Sequence, residues 1–256
     1  MNVSKPAKSG RKLLFVEVLA AIAATVCFGF FLGMFLDNVF DITAARNEID
    51  ALLEIVESHE AVLSSSEPNM AHSELSVPHV SAFDVEMREI NPDYACWISI
   101  DNTVINYPVV RGDDNDKYLE LSFYGEINGL GTLFMDYRCE GDYVPHIIIY
   151  GHNSRHGDMF GSLRNFLDER FLVENPIIAL KANDQVFKYE IFSARKTNVN
   201  DPAYFIDFNA PGSFEAFAER CGAPPGAEQI ITLSTCVSGV DKDERVVVQG
   251  VLLRVG

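Results

Sequence analysis

Three residues whose side chains can take part in acyl transfer stand at the ends of strand-like stretches. Cys236 ends the threonine-rich stretch QIITLSTC, His152 directly follows the apolar stretch HIIIYG, and Arg245 opens the stretch RVVVQGVLLRV. A structural cysteine packs inside a strand as a small hydrophobe, whereas a reactive cysteine lies near a base and a cation that favour its thiolate. The position of Cys236 at a strand end is therefore a first indication of chemistry.

These residue types together could make a covalent acyl-transfer site. The thiolate is the nucleophile, and a thiol is only slightly ionised at neutral pH. A histidine can accept the thiol proton and later protonate the departing amine. An arginine is always charged, so it can hold a substrate backbone or stabilise an oxyanion.

Sequence spacing alone does not assemble the three residues. Arg245 lies nine positions after Cys236, so a loop between neighbouring antiparallel strands could bring them together, but His152 lies 84 positions before Cys236. Only the fold can bring His152 close. Each residue also has an ordinary alternative: a core thiol, a turn residue or a charge at a strand edge.

The chain from about position 81 onward is rich in predicted strands. Eight short strands with few helices between them predict a mainly β fold, an eight-stranded closed or nearly closed β-barrel. An open sandwich is the alternative. The strand-like stretches are CWISI, TVINYPVV, GTLFMDY, HIIIYG, PIIALKA, QVFKYEIFSARK, QIITLSTC and RVVVQGVLLRV. Helical patterns in NDKYLEL, MFGSLRNFLD and GSFEAFAERC predict short helices in the loops, and SAFDVEMREI predicts a helix before the barrel.

The N-terminal segment differs from the rest. Four basic residues precede an apolar run, Leu13–Leu36, that only Glu17 interrupts. About 20 apolar residues suffice to span a bilayer, and the positive-inside rule keeps the basic end in the cytoplasm. We therefore predict a single-pass protein of the cell membrane, with a cytoplasmic tail over 1–12, a transmembrane anchor over 13–36 and an extracytoplasmic catalytic domain. A cleaved signal peptide is the alternative, but its apolar core is usually shorter, about 7–15 residues.

Residues 37–80 connect this anchor to the predicted barrel domain, 81–256. Helical spacing of apolar residues over 42–63 predicts a helix, which forms a stalk, packs against the domain or takes part in a short coiled coil. Ser64–Pro78 is polar and without periodicity, so it predicts a linker.

Composition and cysteine usage exclude several classes. The formal net charge is −17, which argues against a general nucleic-acid binder because such proteins need a basic surface. Cys96, Cys139 and Cys221 are widely and irregularly spaced, so neither a zinc site nor a disulfide framework is indicated. No metal or cofactor is predicted. Cys96 and Cys139 are interpreted as buried thiols, and a disulfide among the cysteines stays open.

Four stretches together resemble the sortase family. TLSTC (Thr232–Cys236), followed by Arg245 at the start of a strand, resembles the active-site signature, and IIIYGHN (Ile147–Asn153) resembles the histidine motif. Tyr118–Arg138 resembles the segment before that motif in class B sortases, and Asn91–Val110 resembles the opening of the domain. The similarity extends from about position 81 to the C-terminus, in the order of the family.

The resemblance implies a membrane-anchored cysteine transpeptidase of Gram-positive bacteria with an eight-stranded barrel. Such enzymes cut the sorting motif of a secreted protein after threonine and form a thioester, which an amine of a peptidoglycan precursor or a pilin lysine resolves. It implies that Cys236 is the nucleophile, His152 the general acid and base, and Arg245 the cation that holds substrate or oxyanion. The helices before the barrel and the helix at Gly212–Cys221 resemble class B, which favours an NPxTx-like motif over an LPxTG-like one.

The same resemblance indicates residues that contact the peptide. Thr197–Glu228 corresponds to one wall of the peptide groove, in which Tyr204, Phe205 and Ile206 are candidates for apolar contact with the motif or, equally, for packing within the loop. Ser234 matches a position that hydrogen-bonds substrate in class B enzymes, and Thr235 next to it is a further candidate. Some class B relatives carry an acidic residue two positions after the cysteine; Ser238 stands there in this chain, so no role of that acid is transferred.

Two other functions remain open from the sequence. A cysteine peptidase would use the same residues but deliver the acyl group to water. A non-catalytic, membrane-tethered barrel that binds wall peptides would make Cys236 incidental.

Overall fold

The computed structural model describes residues 9–65, 81–141, 144–154, 156–236 and 243–253. The chain divides into two compact units, one ending at Asn47 and the other beginning at Glu48. Helix α1 (Ser9–Ser65) supplies the described part of the first unit and continues into the second. Within the described residues, no helix has both the length and the apolar character that crossing a membrane requires. The structure thus gives no support to the anchor predicted over 13–36. Residues 1–8 of the predicted tail and 66–78 of the predicted linker lie outside the described residues.

The second unit contains a closed barrel, which confirms the predicted mainly β fold and excludes the open sandwich. The strands follow one another around the barrel in the order β1-β2-β3-β4-β7-β8-β6-β5. Two neighbouring pairs, β2 with β3 and β4 with β7, are parallel, and the others are antiparallel. The strands of the described residues are β1 (Tyr94–Ser99), β2 (Asn106–Val110), β3 (Leu133–Met135), β4 (His146–Tyr150), β5 (Ile177–Ala182), β6 (Gln185–Asn198), β7 (Ile230–Cys236) and β8 (Glu244–Leu252).

Short helices fill the connections, as the loop sequences predict. Helix α2 (Ala82–Ile90) begins after Ser81, whose hydroxyl accepts a hydrogen bond from the Asp84 N–H at 3.2 Å. This bond satisfies one backbone donor that the first turn leaves unpaired. The remaining helices of the described residues are α3 (Glu169–Glu174), α4 (Ser213–Cys221) and the 3₁₀ helices Lys117–Leu119, Phe160–Leu167 and Pro202–Tyr204.

The part of α1 from Glu48 onward belongs to the barrel unit and packs within it. Leu52 is 1% exposed and lies in a cluster with Phe83, Met87 and Trp97. His59 Nε2 is 2.7 Å from a carboxylate oxygen of Glu86 on α2. Of the roles that the sequence leaves open for this helix, these contacts favour packing against the domain.

Candidate active site

The parallel pairing of β4 with β7 brings the ends of these two strands to one edge of the barrel. Tyr150 is the register partner of Ser234, and the Gly151 N–H donates to the Ser234 carbonyl at 3.2 Å, which continues the ladder. His152 lies two residues beyond Tyr150, and Cys236 lies two residues beyond Ser234. The two residues therefore stand at the same level on adjacent strands.

The antiparallel pairing of β7 with β8 places Arg245 on the other side of Cys236. The two residues are direct partners in the register, and partners of this kind have Cα atoms about 4.5–5.5 Å apart. Cys236 is thus the middle residue of a row that runs from His152 through β7 to Arg245. Its side chain lies outside the described part of the chain, so its place follows from the backbone of β7.

A cavity of about 430 Å³ opens at this edge of the barrel. Five of the residues singled out in the sequence line it, Arg245 among them. Arg138 is a second arginine in the lining, and the described lining residues include no carboxylate. Arg138 is ion-paired with the buried Asp136, so Arg245 is the lining arginine considered for stabilisation of an oxyanion. The lining residues are Asn115, Leu119, Arg138, Tyr150, Gly151, His152, Val199, Tyr204, Ser234, Thr235 and Arg245.

Phe205 and Ile206 are not among the described residues that line the cavity. The Phe205 ring instead packs against Phe208 at 5.3 Å between ring centroids, and the Arg220 guanidinium lies 5.4 Å from its centroid. For Phe205 these contacts favour packing within the loop, the alternative that the sequence leaves open.

The hydrogen bonding of His152 defines which of its nitrogens can act as a base. Nε2 lies 2.6 Å from the Leu119 carbonyl oxygen, at the end of the 3₁₀ helix Lys117–Leu119. Because a carbonyl oxygen only accepts, Nε2 carries the hydrogen, and in the neutral ring the lone pair then lies on Nδ1. Nδ1 is the atom that can take a thiol proton.

Gly151 allows β4 to approach its neighbours closely just before His152. A Cβ atom at this position would lie 2.3 Å from Leu133 Cδ2 and 2.9 Å from Phe160 Cδ2. Any larger residue would push the end of β4 away from these two side chains. The glycine of the YGH stretch therefore helps to set the position of the histidine.

A buried carboxylate organises the side of the cavity that β4 forms. Asp136 is fully buried and receives two hydrogen bonds from Arg138, at 2.8 Å from Nε and 2.7 Å from Nη2. The Tyr150 hydroxyl and the Asn115 amide donate to it at 2.9 and 3.1 Å. Burial acts to raise the pKa of Asp136, but the bonds from Arg138 and Tyr150 outweigh it and hold the pKa below its usual value.

The neutral phenol of Tyr150 is part of the same arrangement. Burial, followed by the negative charge of Asp136, raises the pKa of Tyr150, so its hydroxyl remains a donor. Its ring stacks on that of Tyr204 at 6.5 Å between centroids and 8° between planes. Sequence reasoning did not single out Tyr150, Asn115 or Arg138, although Tyr150 directly precedes the GH pair.

Hydroxyl groups form the β7 side of the cavity. The hydroxyls of Tyr204 and Ser234 lie 2.8 Å apart. Ser234 and Thr235 are both buried, and the Thr235 hydroxyl has no hydrogen-bond partner among the described residues.

The other cysteines of the barrel unit are unsuited to nucleophilic chemistry. Cys96, Cys139 and Cys221 are buried free thiols, as interpreted for the first two. Burial raises the pKa of Cys96 to about 12 and that of Cys139 to about 11. Because the thiolate is the reactive form, these residues are inert at neutral pH.

The mixed eight-stranded barrel and the row of cysteine, histidine and arginine at one edge of it define a class of protein, the cysteine transpeptidases that act through a barrel of this kind. The sortase domain model matches residues 98–253. This chain therefore belongs to the sortase family and is a sortase-type cysteine transpeptidase.

Its relatives are sortases of class B. Sortase B of Listeria monocytogenes is 33% identical over 181 residues, which is 66% of this chain and 73% of that protein. Sortase B of Staphylococcus aureus is 30% identical over 188 residues, covering 69% of this chain and 77% of the relative. The solved structure of a Staphylococcus aureus sortase B–substrate complex has a TM-score of 0.69 at 26% identity, and the match covers 82% of this chain and 97% of that one.

Proposed function

We propose that this enzyme cuts a C-terminal sorting motif of secreted proteins after threonine and joins the carbonyl carbon of that threonine to an amine. The observation that supports the proposal is the register of β4, β7 and β8: Cys236 is the partner of Arg245 on β8, and it ends the strand next to the one that leads into His152. His152 and Arg245 line one cavity. The residue types supply a nucleophile, a base and a fixed positive charge.

In the proposed first half-reaction, His152 Nδ1 takes the proton of Cys236, and the sulfur attacks the threonine carbonyl carbon. Arg245 stabilises the negative charge on the carbonyl oxygen of the tetrahedral intermediate. As the C–N bond breaks, His152 returns the proton to the departing amine, and a thioester remains on Cys236.

In the proposed second half-reaction, an acceptor amine attacks the thioester. His152 takes a proton from the attacking nitrogen, the C–S bond breaks as the amide forms, and His152 passes the proton to the sulfur of Cys236, which restores the thiol. The acceptor belongs to a peptidoglycan precursor or is a pilin lysine.

The likeness to class B relatives supports an NPxTx-like motif over an LPxTG-like one. Tyr204, Ser234 and Thr235 line the cavity and are the proposed peptide contacts. Phe205 and Ile206 stay predictions from the sequence.

We also propose that the enzyme acts on the outer side of the cell membrane, with residues 1–12 inside and 13–36 in the bilayer. The apolar run and the basic residues before it support this placement. Protease added to intact Gram-positive cells that carry a C-terminally tagged chain should remove the tag. Complete protection of the tag in intact but not in lysed cells would contradict the proposal.

Product analysis distinguishes transfer from simple hydrolysis. We expect that a threonine-containing NPxTx peptide, incubated with the enzyme and an added amine such as triglycine, gives an amide whose mass equals the N-terminal fragment plus the amine. Only the hydrolysed fragment at every amine concentration would identify a cysteine peptidase. Peptide binding without cleavage, unchanged in Cys236→Ala, would identify a binding barrel.

A further inference from the structure

A second row of polar side chains crosses the three strands that carry the site, β4, β7 and β8, and the neighbouring strand β6. His146 of β4, Thr232 of β7 and Gln249 of β8 are fully buried, and Arg195 of β6 is partly buried. His146 Nε2 lies 2.8 Å from Thr232 Oγ1, Gln249 Nε2 lies 3.0 Å from the same oxygen, and Arg195 Nη1 lies 2.7 Å from Gln249 Oε1. Each contact lies within normal hydrogen-bond distance.

The direction of these bonds follows from the ends of the row. His146 Nδ1 lies 2.8 Å from the Phe205 carbonyl oxygen, which only accepts, so Nδ1 carries the hydrogen and Nε2 accepts from the Thr232 hydroxyl. Thr232 in turn accepts from the Gln249 amide, and Gln249 accepts from Arg195. One tautomer of neutral His146 is thus consistent with every bond named in the row.

Both ends of this row hold the same piece of the cavity wall. That piece is the 3₁₀ helix Pro202–Tyr204, which begins after Asp201. Arg195 Nη2 donates to Asp201 Oδ1 at 2.7 Å, and Asp201 Oδ1 also accepts from the N–H of Ala203 at 2.8 Å. At the other end His146 holds the Phe205 carbonyl, directly after Tyr204.

Tyr204 is the residue of this piece that reaches the cavity. Its hydroxyl lies 2.8 Å from the Ser234 hydroxyl and its ring stacks on Tyr150. The position of the Tyr204 ring therefore depends on where the backbone at 201–205 is held.

We propose that His146 is a positioning residue: by donating to the Phe205 carbonyl it fixes Tyr204 in the cavity wall and so determines how well the peptide binds, without touching it. The effect of His146 on peptide binding rests on the proposed function. Its effect on the position of residues 201–205 does not, and the experiments address the two effects separately.

Three substitutions at His146 in the full chain separate the hydrogen bond from mere occupancy of the core. In His146→Asn the side-chain amide can replace Nδ1 and keep the bond to Phe205. In His146→Gln the amide replaces Nε2, so the bond to Thr232 stays and the bond to Phe205 is lost. His146→Phe loses both but keeps a ring against Phe217, whose centroid lies 4.5 Å from that of His146.

Amide hydrogen exchange measures how firmly the backbone at 203–205 is held, independently of enzymatic activity. We expect His146→Phe and His146→Gln to raise exchange of the amides at 203–205 by about tenfold or more, because free energies of local opening set exchange rates. In His146→Asn and in Thr232→Val, which leaves the bond to Phe205 in place, exchange there should remain near that of the unsubstituted chain. Unchanged exchange at 203–205 in His146→Phe would overturn the proposal. The proposal would also be overturned if exchange increased equally in all four variants and the increase extended along β4 and β7, since this would show general loosening of the core.

Steady-state kinetics with the NPxTx peptide then test the functional half. His146→Gln should raise KM about tenfold and leave kcat within about threefold, and His146→Asn should restore KM. Loss of kcat with unchanged KM would overturn the link to peptide binding. An unsubstituted enzyme that does not turn the peptide over would count against the proposed function and leave the exchange result standing.

Discussion

The hydrogen bond between His152 and the Leu119 carbonyl decides what the histidine can do. With Nε2 committed as a donor, Nδ1 is the nitrogen that exchanges protons with Cys236 in the proposed reaction. In the same proposed reaction Arg245, the register partner of the cysteine, cannot exchange protons and contributes charge and geometry. The three residues therefore have separate roles in the proposed reaction, and substitution of each should reduce turnover to a different extent.

Substitutions of the three residues should reduce turnover to different extents. We expect Cys236→Ala to abolish turnover, His152→Ala to reduce kcat/KM nearly to background, and Arg245→Ala to reduce it by about 10²–10³, as for loss of an oxyanion donor. Arg245→Lys should not restore full activity, because an ammonium cannot reproduce the planar guanidinium fork. Wild-type rates in Arg245→Ala would refute the role assigned to it.

The ion pair of Asp136 and Arg138 predicts an asymmetry in stability. Arg138→Met leaves a buried carboxylate without its strongest donors and should cost about 2–4 kcal/mol in free energy of unfolding at neutral pH. Asp136→Asn should cost less, because the Arg138 side chain is 42% exposed and can be hydrated.

The cost of Arg138→Met should shrink as the pH falls towards 4, since Asp136 without its arginine can take up a proton. Urea unfolding at pH 7 and pH 5 measures both effects. A larger cost for Asp136→Asn at pH 7 would contradict this account.

Single residues of the site differ in how far the sequence reveals them. Cys236, His152 and Arg245 stand in recognisable stretches, so their types and the family resemblance suffice to name them. Asp136 and Arg138 follow a three-residue strand in a sequence that looks like an ordinary turn. The importance of Asp136 comes from its burial and from its bonds to Arg138, Tyr150 and Asn115, which no local pattern encodes.

At the level of elements, the site depends on the parallel pairing of β4 with β7. The strands themselves are predictable, because apolar runs between turn signals mark all eight. Their pairing is not, because β4 and β7 are separated by about 80 residues that contain two other strands, and periodicity carries no information on partners. Helix α3 and the 3₁₀ helix Pro202–Tyr204 also escaped prediction, since six and three residues are too few for a helical period to show.

Gly151→Ala should disturb this pairing. The added methyl group would meet Leu133 and Phe160, which should cost about 1–3 kcal/mol by overpacking and shift His152 away from Cys236. We expect a loss of kcat/KM of tenfold or more, with Gly129→Ala as the control, because a Cβ there meets nothing within 4 Å. Equal activity of the two variants would contradict the role of Gly151.

The row that includes His146 should make stability depend on pH. Burial lowers the pKa of His146 from 6.5 to about 4, although its bond to the Phe205 carbonyl acts in the opposite direction. The unfolded chain therefore binds the proton more tightly than the folded one, and the free energy of unfolding should fall as the pH is lowered from 6.5 to 4, by up to about 3 kcal/mol. In His146→Asn this part of the pH dependence should be absent. If the free energy of unfolding changed with pH in the same way in His146→Asn and in the unsubstituted chain, this prediction would be wrong.

At the level of the whole molecule, the boundary of the barrel unit lies inside a helix rather than in a linker. Periodicity over 42–63 predicts a helix, but the pattern does not say what its apolar face meets. In the structure, Leu52 of this helix is buried against Phe83 and Met87. The compact unit accordingly begins at Glu48, well before the polar segment at 64–78.

Fragments of the chain should differ in stability according to this boundary. We expect the fragment 81–256 to be less stable than 48–256 by at least about 2–5 kcal/mol, the usual cost of losing one buried leucine side chain. Leu52→Ala within 48–256 should reproduce a large part of the difference. Equal denaturation midpoints and slopes for the two fragments would show that α1 contributes nothing to the barrel unit.

Intact mass spectrometry of the enzyme mixed with threonine-containing sorting peptides, NPxTx-like and LPxTG-like, tests the central claim most directly. The account predicts an adduct equal in mass to the N-terminal peptide fragment, located on Cys236, absent in Cys236→Ala and released as an amide by an added amine. An adduct on another residue, or cleavage that proceeds equally well in Cys236→Ala, would contradict it.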